Sequence, residues 1–425
     1  MITQLDKGWW RKLEAALLVL LMLNFIGGSL SPPLPAFVNS ALNAAGYGIL
    51  FPLFALRWKG LIYAATRDIP LLLLFVMTVA SISWSASPAV SLNEIKPFLR
   101  AILLGMYLAK YYSIKDQMRL FTWLFSLAAI VSLVVVIAFP ASGTGGGGIA
   151  GGGILSPWRG IFNYKNSLAR IMVLAAMLYL LTAIDNRRKR RLALTGFFLA
   201  VAMMLATQGK TSLASFFILL CVLPIYIAVK QNYKLQIFLY TVLVLLGGAA
   251  VIWSAVNLET IVVQGLGKDM TFNGRIEVWN LTIQRGLERP WLGYGYVGFW
   301  PSDYSLIVLN NTWGSIAKDA GVRFNAHSHF IDMFLQVGGL GFSLYIINYL
   351  TVFLRVVVLL SLTRNIEFLW ILQFLVSQTL FNLSDSATLL NADGVWTIYV
   401  SIVFSTAIEY NRVRRKIGLK GLAPG

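Results

Sequence analysis

Long apolar runs separated by short polar segments dictate what this chain can become. About twelve are present, near residues 13–30, 35–56, 69–86, 97–113, 117–139, 166–185, 191–207, 211–230, 234–256, 329–360, 365–383 and 393–411. Crossing a bilayer as a helix takes roughly 20 apolar residues. Only 12% of the residues are charged and 58% are hydrophobic, whereas about a quarter of a soluble domain is charged. Lipid is therefore the solvent for most of the chain, and the expected fold is an all-α polytopic membrane protein with about twelve transmembrane helices. The run that begins at His329 is too long for one simple span. It is expected to start as a partly exposed helix, break near Gly338-Gly339 and then cross.

Lys and Arg set the expected orientation, because cytoplasmic segments carry them in excess. With the N-terminus inside, cytoplasmic segments hold 23 of the 35 basic residues, including the run Arg187-Arg188-Lys189-Arg190-Arg191 and the tail Arg412, Arg414, Arg415, Lys416 and Lys420. That gives +16 on one side against +2 on the other. Both termini are thus expected in the cytoplasm. The net charge of +18 reads as topology and contact with anionic membrane lipids. No basic soluble domain is present to bind nucleic acid. The single cysteine, Cys221, falls inside an apolar run and allows neither an intrachain disulfide nor a Cys/His metal cluster. The first apolar run lacks a small-residue cleavage site and reads as a retained span.

Three segments are expected along the chain: nine spans over 1–257, a large periplasmic loop with short helices over 258–326, and three spans with a basic cytoplasmic tail over 327–425. The loop is the longest polar stretch. It leads into Ala326-His327-Ser328-His329-Phe330, which holds the only two histidines of the chain. Near its start stands Thr271-Phe272-Asn273-Gly274-Arg275. Asn273 can cap a helix over about 274–286, with Arg275 in its first turn and Ile276, Trp279 and Ile283 on one face. A second short helix is expected between Ser305 and Ala320. The intervening Pro290-Trp291-Leu292-Gly293-Tyr294-Gly295-Tyr296 combines glycine turns with interfacial aromatics. A further glycine-rich loop, 141–158, suits a substrate-adjusted gate and equally a plain linker.

The candidate functional residues all lie at the outer ends of spans. Arg159, Lys165, Lys210, Arg275, Arg323 and His327 come from three loops that topology places on one membrane face. Cations converging there make an anion site, in which Arg grips phosphate oxygens with its fork and Lys acts as a point charge. A lipid-linked pyrophosphate is the membrane-embedded anion that fits. His327 precedes Ser328, a plausible N-cap. The positive end of a helix dipole pushes an imidazole toward its neutral form, which a general base needs. Two residues on, His329 would point about 200° away on a helix, so one site is not expected to use both. Asp303 and Asp332 stand as secondary candidates. No P-loop, Rossmann pattern or metal-ligand constellation is present. No cofactor and no metal is expected, and an activated donor would arrive already attached to a lipid.

Together these motifs resemble the O-antigen ligase and polymerase superfamily. The resemblance rests on the Gly274-Arg275 helix start with Trp279, on Pro290 to Gly295, on Ala326-His327 with Phe330, and on Gly338-Gly339-Leu340-Gly341. Ser83-Trp84-Ser85 with Pro88, and Gly160-Ile161-Phe162-Asn163-Tyr164-Lys165-Asn166, resemble two further motifs of that superfamily. The resemblance implies a GT-C-like glycosyltransferase of the bacterial inner membrane with its active site facing the periplasm. It implies metal-independent transfer of O-antigen polysaccharide from undecaprenyl pyrophosphate to a sugar hydroxyl of lipid A–core. By position, His327 matches the family's histidine and Arg275 the arginine of the large loop. Lys210 stands where relatives usually have arginine, and Ser328 where they often have Asn. An O-antigen polymerase and a protein O-oligosaccharyltransferase share the motifs and remain open at this point. A lipid or polysaccharide transporter would show ionisable residues at mid-span and repeats related across the membrane.

Overall fold

The computed structural model describes residues 7–26, 36–145, 153, 155–224, 274–319, 321, 323–384 and 394–420. The described residues form helices and turns, with one isolated β-bridge between Thr144 and Trp158. The long helices are α1 (Lys7–Phe25), α2 (Ala36–Leu56), α3 (Trp58–Ala65), α4 (Ile69–Ala80), α5 (Pro88–Tyr111), α6 (Ile114–Ala138), α7 (Lys165–Asp185), α8 (Arg190–Ala206), α9 (Lys210–Cys221), α10 (Arg275–Glu288), α11 (His329–Thr363), α12 (Ile366–Ser384) and α13 (Gly394–Lys420). The expected run 234–256 and the first part of the loop, 258–273, lie outside the described residues. So does Asn273.

Four segments are long and apolar enough to cross a membrane: Ile114–Ala138, Lys165–Asp185, His329–Thr363 and Ile366–Leu383. Asn43–Leu56 and Trp58–Ala65 meet the same standard as a pair bent by 81°, and α4 and α9 are shorter apolar helices. The chain is thus a helical membrane protein. Most helices start and end within a few residues of the apolar runs, because burial in lipid sets both. Two depart from expectation. Helix α5 begins at Pro88 rather than near 97, since a proline at the first helical position is pre-set for a helix start. Helix α3 forms in the gap between the apolar runs 35–56 and 69–86, where Arg57, Lys59 and Arg67 stand.

Aromatic and small residues pack the bundle. Helix α5 lies on α13, where a Cβ at Gly105 would come within 2.6 Å of Val400. Trp396 stacks on Tyr399 at 5.1 Å and 17°, and Phe98 lies 6.4 Å from Trp396. Two polar networks join these helices, one half-buried and one buried. At one end Glu14 accepts from the hydroxyls of Tyr107 (2.6 Å) and Tyr112 (2.9 Å) and pairs with Arg57. Elsewhere Asp68 caps α4 through Leu71 N, accepts from Asn348 at 2.8 Å and pairs with Arg355. Tyr399 in turn donates to Asn348. A charge in lipid persists when it is paired and hydrogen-bonded in this way.

Helix α11 breaks where the sequence suggests. Gly338 has φ 62° and ψ −170° inside the helix. A Cβ there would lie 2.3 Å from the Trp291 carbonyl, so only glycine fits. The groups released by the break are satisfied by the loop. Gly339 N donates to Pro290 O (2.7 Å), Leu340 N to Trp291 O (3.2 Å), and Tyr294 N to Leu335 O (2.7 Å). Irregular backbone at membrane depth survives only with such partners.

Candidate functional site

The loop that feeds α11 has a core of its own. Val278, Tyr294, Phe299, Val308, Leu309, Phe324 and Leu335 form one apolar cluster. Tyr294 donates to Arg285 O at 2.9 Å and reaches Glu288 at 3.1 Å. Burial first, then the Glu288 carboxylate, push its phenol up to about 12, so it stays protonated and keeps donating at neutral pH. The Pro290–Tyr296 motif also stitches the loop to the outer ends of α4 and α5. Ala86 N donates to Tyr294 O, Tyr296 N to Ser81 Oγ, and Ser91 Oγ to Tyr296 O. Gly295 has φ 84°, and a Cβ on it would meet Ser85 Cα at 2.5 Å. This contact packs the Ser83-Trp84-Ser85 motif against Gly293-Tyr294-Gly295.

His327 sits at the end of this stitched loop. The peptide before it is held from both sides. Trp279 Nε1 donates to Ala326 O at 2.8 Å, and Ala326 N donates to both Asp332 oxygens at 3.2 Å. Trp300 Nε1 also donates to Asp332, at 2.7 Å, and Asp332 is 3% exposed. His327 N donates to Asn325 Oδ1 at 2.9 Å. The residue itself has φ 50°, a left-handed conformation that is uncommon outside glycine but more frequent in His, Asn and Asp. Its half-buried ring lies 5.1 Å from Trp313 and 5.9 Å from Phe324.

Gly274, which opens α10, has φ 75°, and a Cβ there would meet Trp313 at 2.8 Å. Trp313 therefore touches both the Gly274-Arg275 turn and His327, and brings the two strongest sequence candidates to one aromatic wall. Arg275 is the first residue of α10 and is half-buried. Helix α11 begins at His329, with Ser328 in the N-cap position as expected, although the Ser328 hydroxyl makes no capping bond. His329 is 2% exposed while His327 is half-buried. The two histidines do differ, but for another reason than helical spacing, since His327 stands outside the helix.

The other cations are placed in different ways. Arg323 pairs with Glu94 of α5 at 3.1 Å. Arg159 is buried, and its guanidinium donates to Ser142 O (2.9 Å) and Asn163 O (3.3 Å). There it closes the turn where Trp158 N meets Ala206 O and where Gly160 packs on Ser132. Lys165 is the first residue of α7 and is half-buried. Lys210 is the first residue of α9 and is exposed. Arg159 thus has a structural task in its own turn. The residues that sequence reasoning underrated are Trp300 and Asp332, which fix the backbone before His327. Among the described residues no group of His, Cys, Asp and Glu could hold a metal ion.

The fold and this loop define a helical membrane protein in which a folded loop presents a histidine at a helix entry. Residues 195–346 match the family model described as O-antigen ligase. The match takes in Lys210, Arg275, Arg323 and His327, and ends just past the break in α11. Arg159 and Lys165 precede it. No curated protein matches the chain.

Proposed function

We propose that this protein is an inner-membrane glycosyltransferase, GT-C-like and of about twelve spans, that ligates O-antigen polysaccharide onto lipid A–core at the periplasmic face. The observation that carries the reading is the double clamp on the Ala326 peptide by Trp279 and Asp332. It holds His327 in a strained conformation beside the Arg275 helix start, a use of backbone strain typical of functional sites. The charge division of the chain supports a periplasmic position for the loop and cytoplasmic termini.

In the proposed reaction a sugar hydroxyl of lipid A–core attacks the anomeric carbon of the polysaccharide. His327 takes the hydroxyl proton as the new carbon–oxygen bond forms. The bond from the anomeric carbon to undecaprenyl pyrophosphate breaks, and its electron pair leaves with the pyrophosphate. Arg275 and Lys210 stabilise that charge, with Lys165 and, when released from Glu94, Arg323 in reach of the same face. Arg159 shapes the adjoining turn. Direct displacement inverts the anomeric centre. Pyrophosphate is a good leaving group, so neither a metal nor a general acid is required.

The test is lipopolysaccharide from a strain lacking this protein. Loss of a ligase leaves core without polymer and lipid-linked polymer accumulating. Core carrying a single repeat unit would identify a polymerase instead, and a normal ladder would remove the reading altogether.

A further inference from the structure

Helix α5 uses two faces differently. Ser91 and Phe98 turn toward the loop, where Ser91 donates to Tyr296 O and Phe98 packs 5.1 Å from the Tyr296 ring. Arg100 stands two residues on, about 200° round the helix from Phe98. It is 8% exposed. Its guanidinium carbon lies 3.5 Å from the ring centre of Phe25 and 5.1 Å from that of Tyr47, and Nη1 reaches Asn43 Oδ1 at 3.4 Å. Its Nε is buried and makes no hydrogen bond. Lys96 lies one turn earlier on the same face and is exposed. Among the described residues the carboxylates found in ion pairs all face other cations, and none faces Lys96 or Arg100.

A buried guanidinium without a counter-charge is costly in lipid, and such residues mark binding sites or ion paths. Aromatic rings offset part of that cost but supply no oxygen to the idle Nε. The depth fits a lipid headgroup at the end of the bundle that carries the loop. Phe25 is the last residue of α1, and the adjoining Ile26 packs on Gly394, the first residue of α13. One turn beyond Tyr47 on the same face of α2, Phe51 is exposed and offers an apolar surface to a hydrocarbon chain.

We propose that Lys96 and Arg100, with Asn43, bind the phosphate or pyrophosphate of a membrane lipid between α1, α2 and α5. The fork of Arg100 holds the oxygens at depth, and Lys96 adds a point charge toward water. None of these three residues belongs to the His327 cluster, and occupancy can be measured without any transfer reaction.

The test uses the full chain purified in detergent, with lipid binding read by native mass spectrometry. One arm uses undecaprenyl pyrophosphate and the other dioleoyl phosphatidylglycerol. Lys96→Gln and Arg100→Gln are each expected to raise the Kd of at least one lipid about tenfold, the weight of a charge-assisted hydrogen bond, and Arg100→Lys to recover part of it. An effect confined to the pyrophosphate assigns the site to the lipid-linked donor. An effect on phosphatidylglycerol assigns it to bulk anionic lipid. Lys96 is exposed, so Lys96→Gln tests the site even if Arg100→Gln fails to fold. Unchanged affinity for both lipids in Lys96→Gln and Arg100→Gln, with a lower Tm in the latter, would reduce Arg100 to a packing residue and overturn the proposal.

Discussion

The indole of Trp279 donates to the carbonyl of Ala326 at 2.8 Å, across 47 residues of chain. One hydrogen bond thereby joins the helix that starts with Arg275 to the residue before His327. Trp279→Phe keeps the ring and deletes the donor. It is expected to lower kcat by about five- to tenfold, the worth of one neutral hydrogen bond, with the KM for the lipid-linked donor unchanged and Tm nearly so. Asp332→Asn should act more strongly, because it removes the charge that holds both donors and puts an amide nitrogen where the second oxygen accepts from Ala326 N. A fall in Tm of Trp279→Phe without any change in kcat would limit the indole to packing.

The histidines are expected to fail differently. His327→Asn keeps a residue tolerant of positive φ while removing the base. It should cost about 10²–10⁴-fold in rate, with donor binding preserved. His329→Ala empties a buried position and should lower Tm while leaving substantial turnover. Comparable rate losses in both variants, at equal stability, would contradict the assignment of His327.

For the anion clamp, Arg275→Ala is expected to abolish nearly all transfer and Arg275→Lys to restore little, because a point charge cannot reproduce a two-pronged grip. Lys210→Arg should retain activity, since Lys210 is exposed at a helix start with room for the longer fork. Transfer assays on purified, folded variants decide this. Full activity in Arg275→Ala would remove the clamp from the mechanism.

Orientation can be checked in a Cys221→Ser background with a membrane-impermeant thiol reagent. Asp319→Cys, exposed in the loop, should label from outside intact cells, and Arg188→Cys, exposed between α7 and α8, should not. The reverse pattern would put the proposed site on the wrong side of the membrane.

Much of this architecture is legible in the sequence because lipid leaves few options. Apolar length locates α6, α7, α11 and α12, and Gly338-Gly339 announces the break in α11. The loop is less transparent. Its contacts join residues far apart in sequence, such as Arg323 with Glu94 and Trp300 with Asp332, and no periodicity records them. Arg323 reads as one more loop cation until its partner is seen. Asp332 reads as a helix-start acid, because its acceptance of the Ala326 N–H depends on how the chain turns at His327. Helix α3 escapes for another reason: its apolar residues lie among cations that suggest a connecting loop, whereas the chain bends and continues as a helix.

The pairing of Pro290, Trp291 and Tyr294 with the broken turn of α11 has a consequence for how bulky glycans gain access. The two amides and the carbonyl of that turn cannot part from the loop without stranding polar backbone, so this portion of the loop behaves as a fixed wall rather than a hinged door. On the proposed function, a polymer carried by a membrane lipid then enters sideways between helices. Any breathing that admits it falls to segments outside this stapled joint.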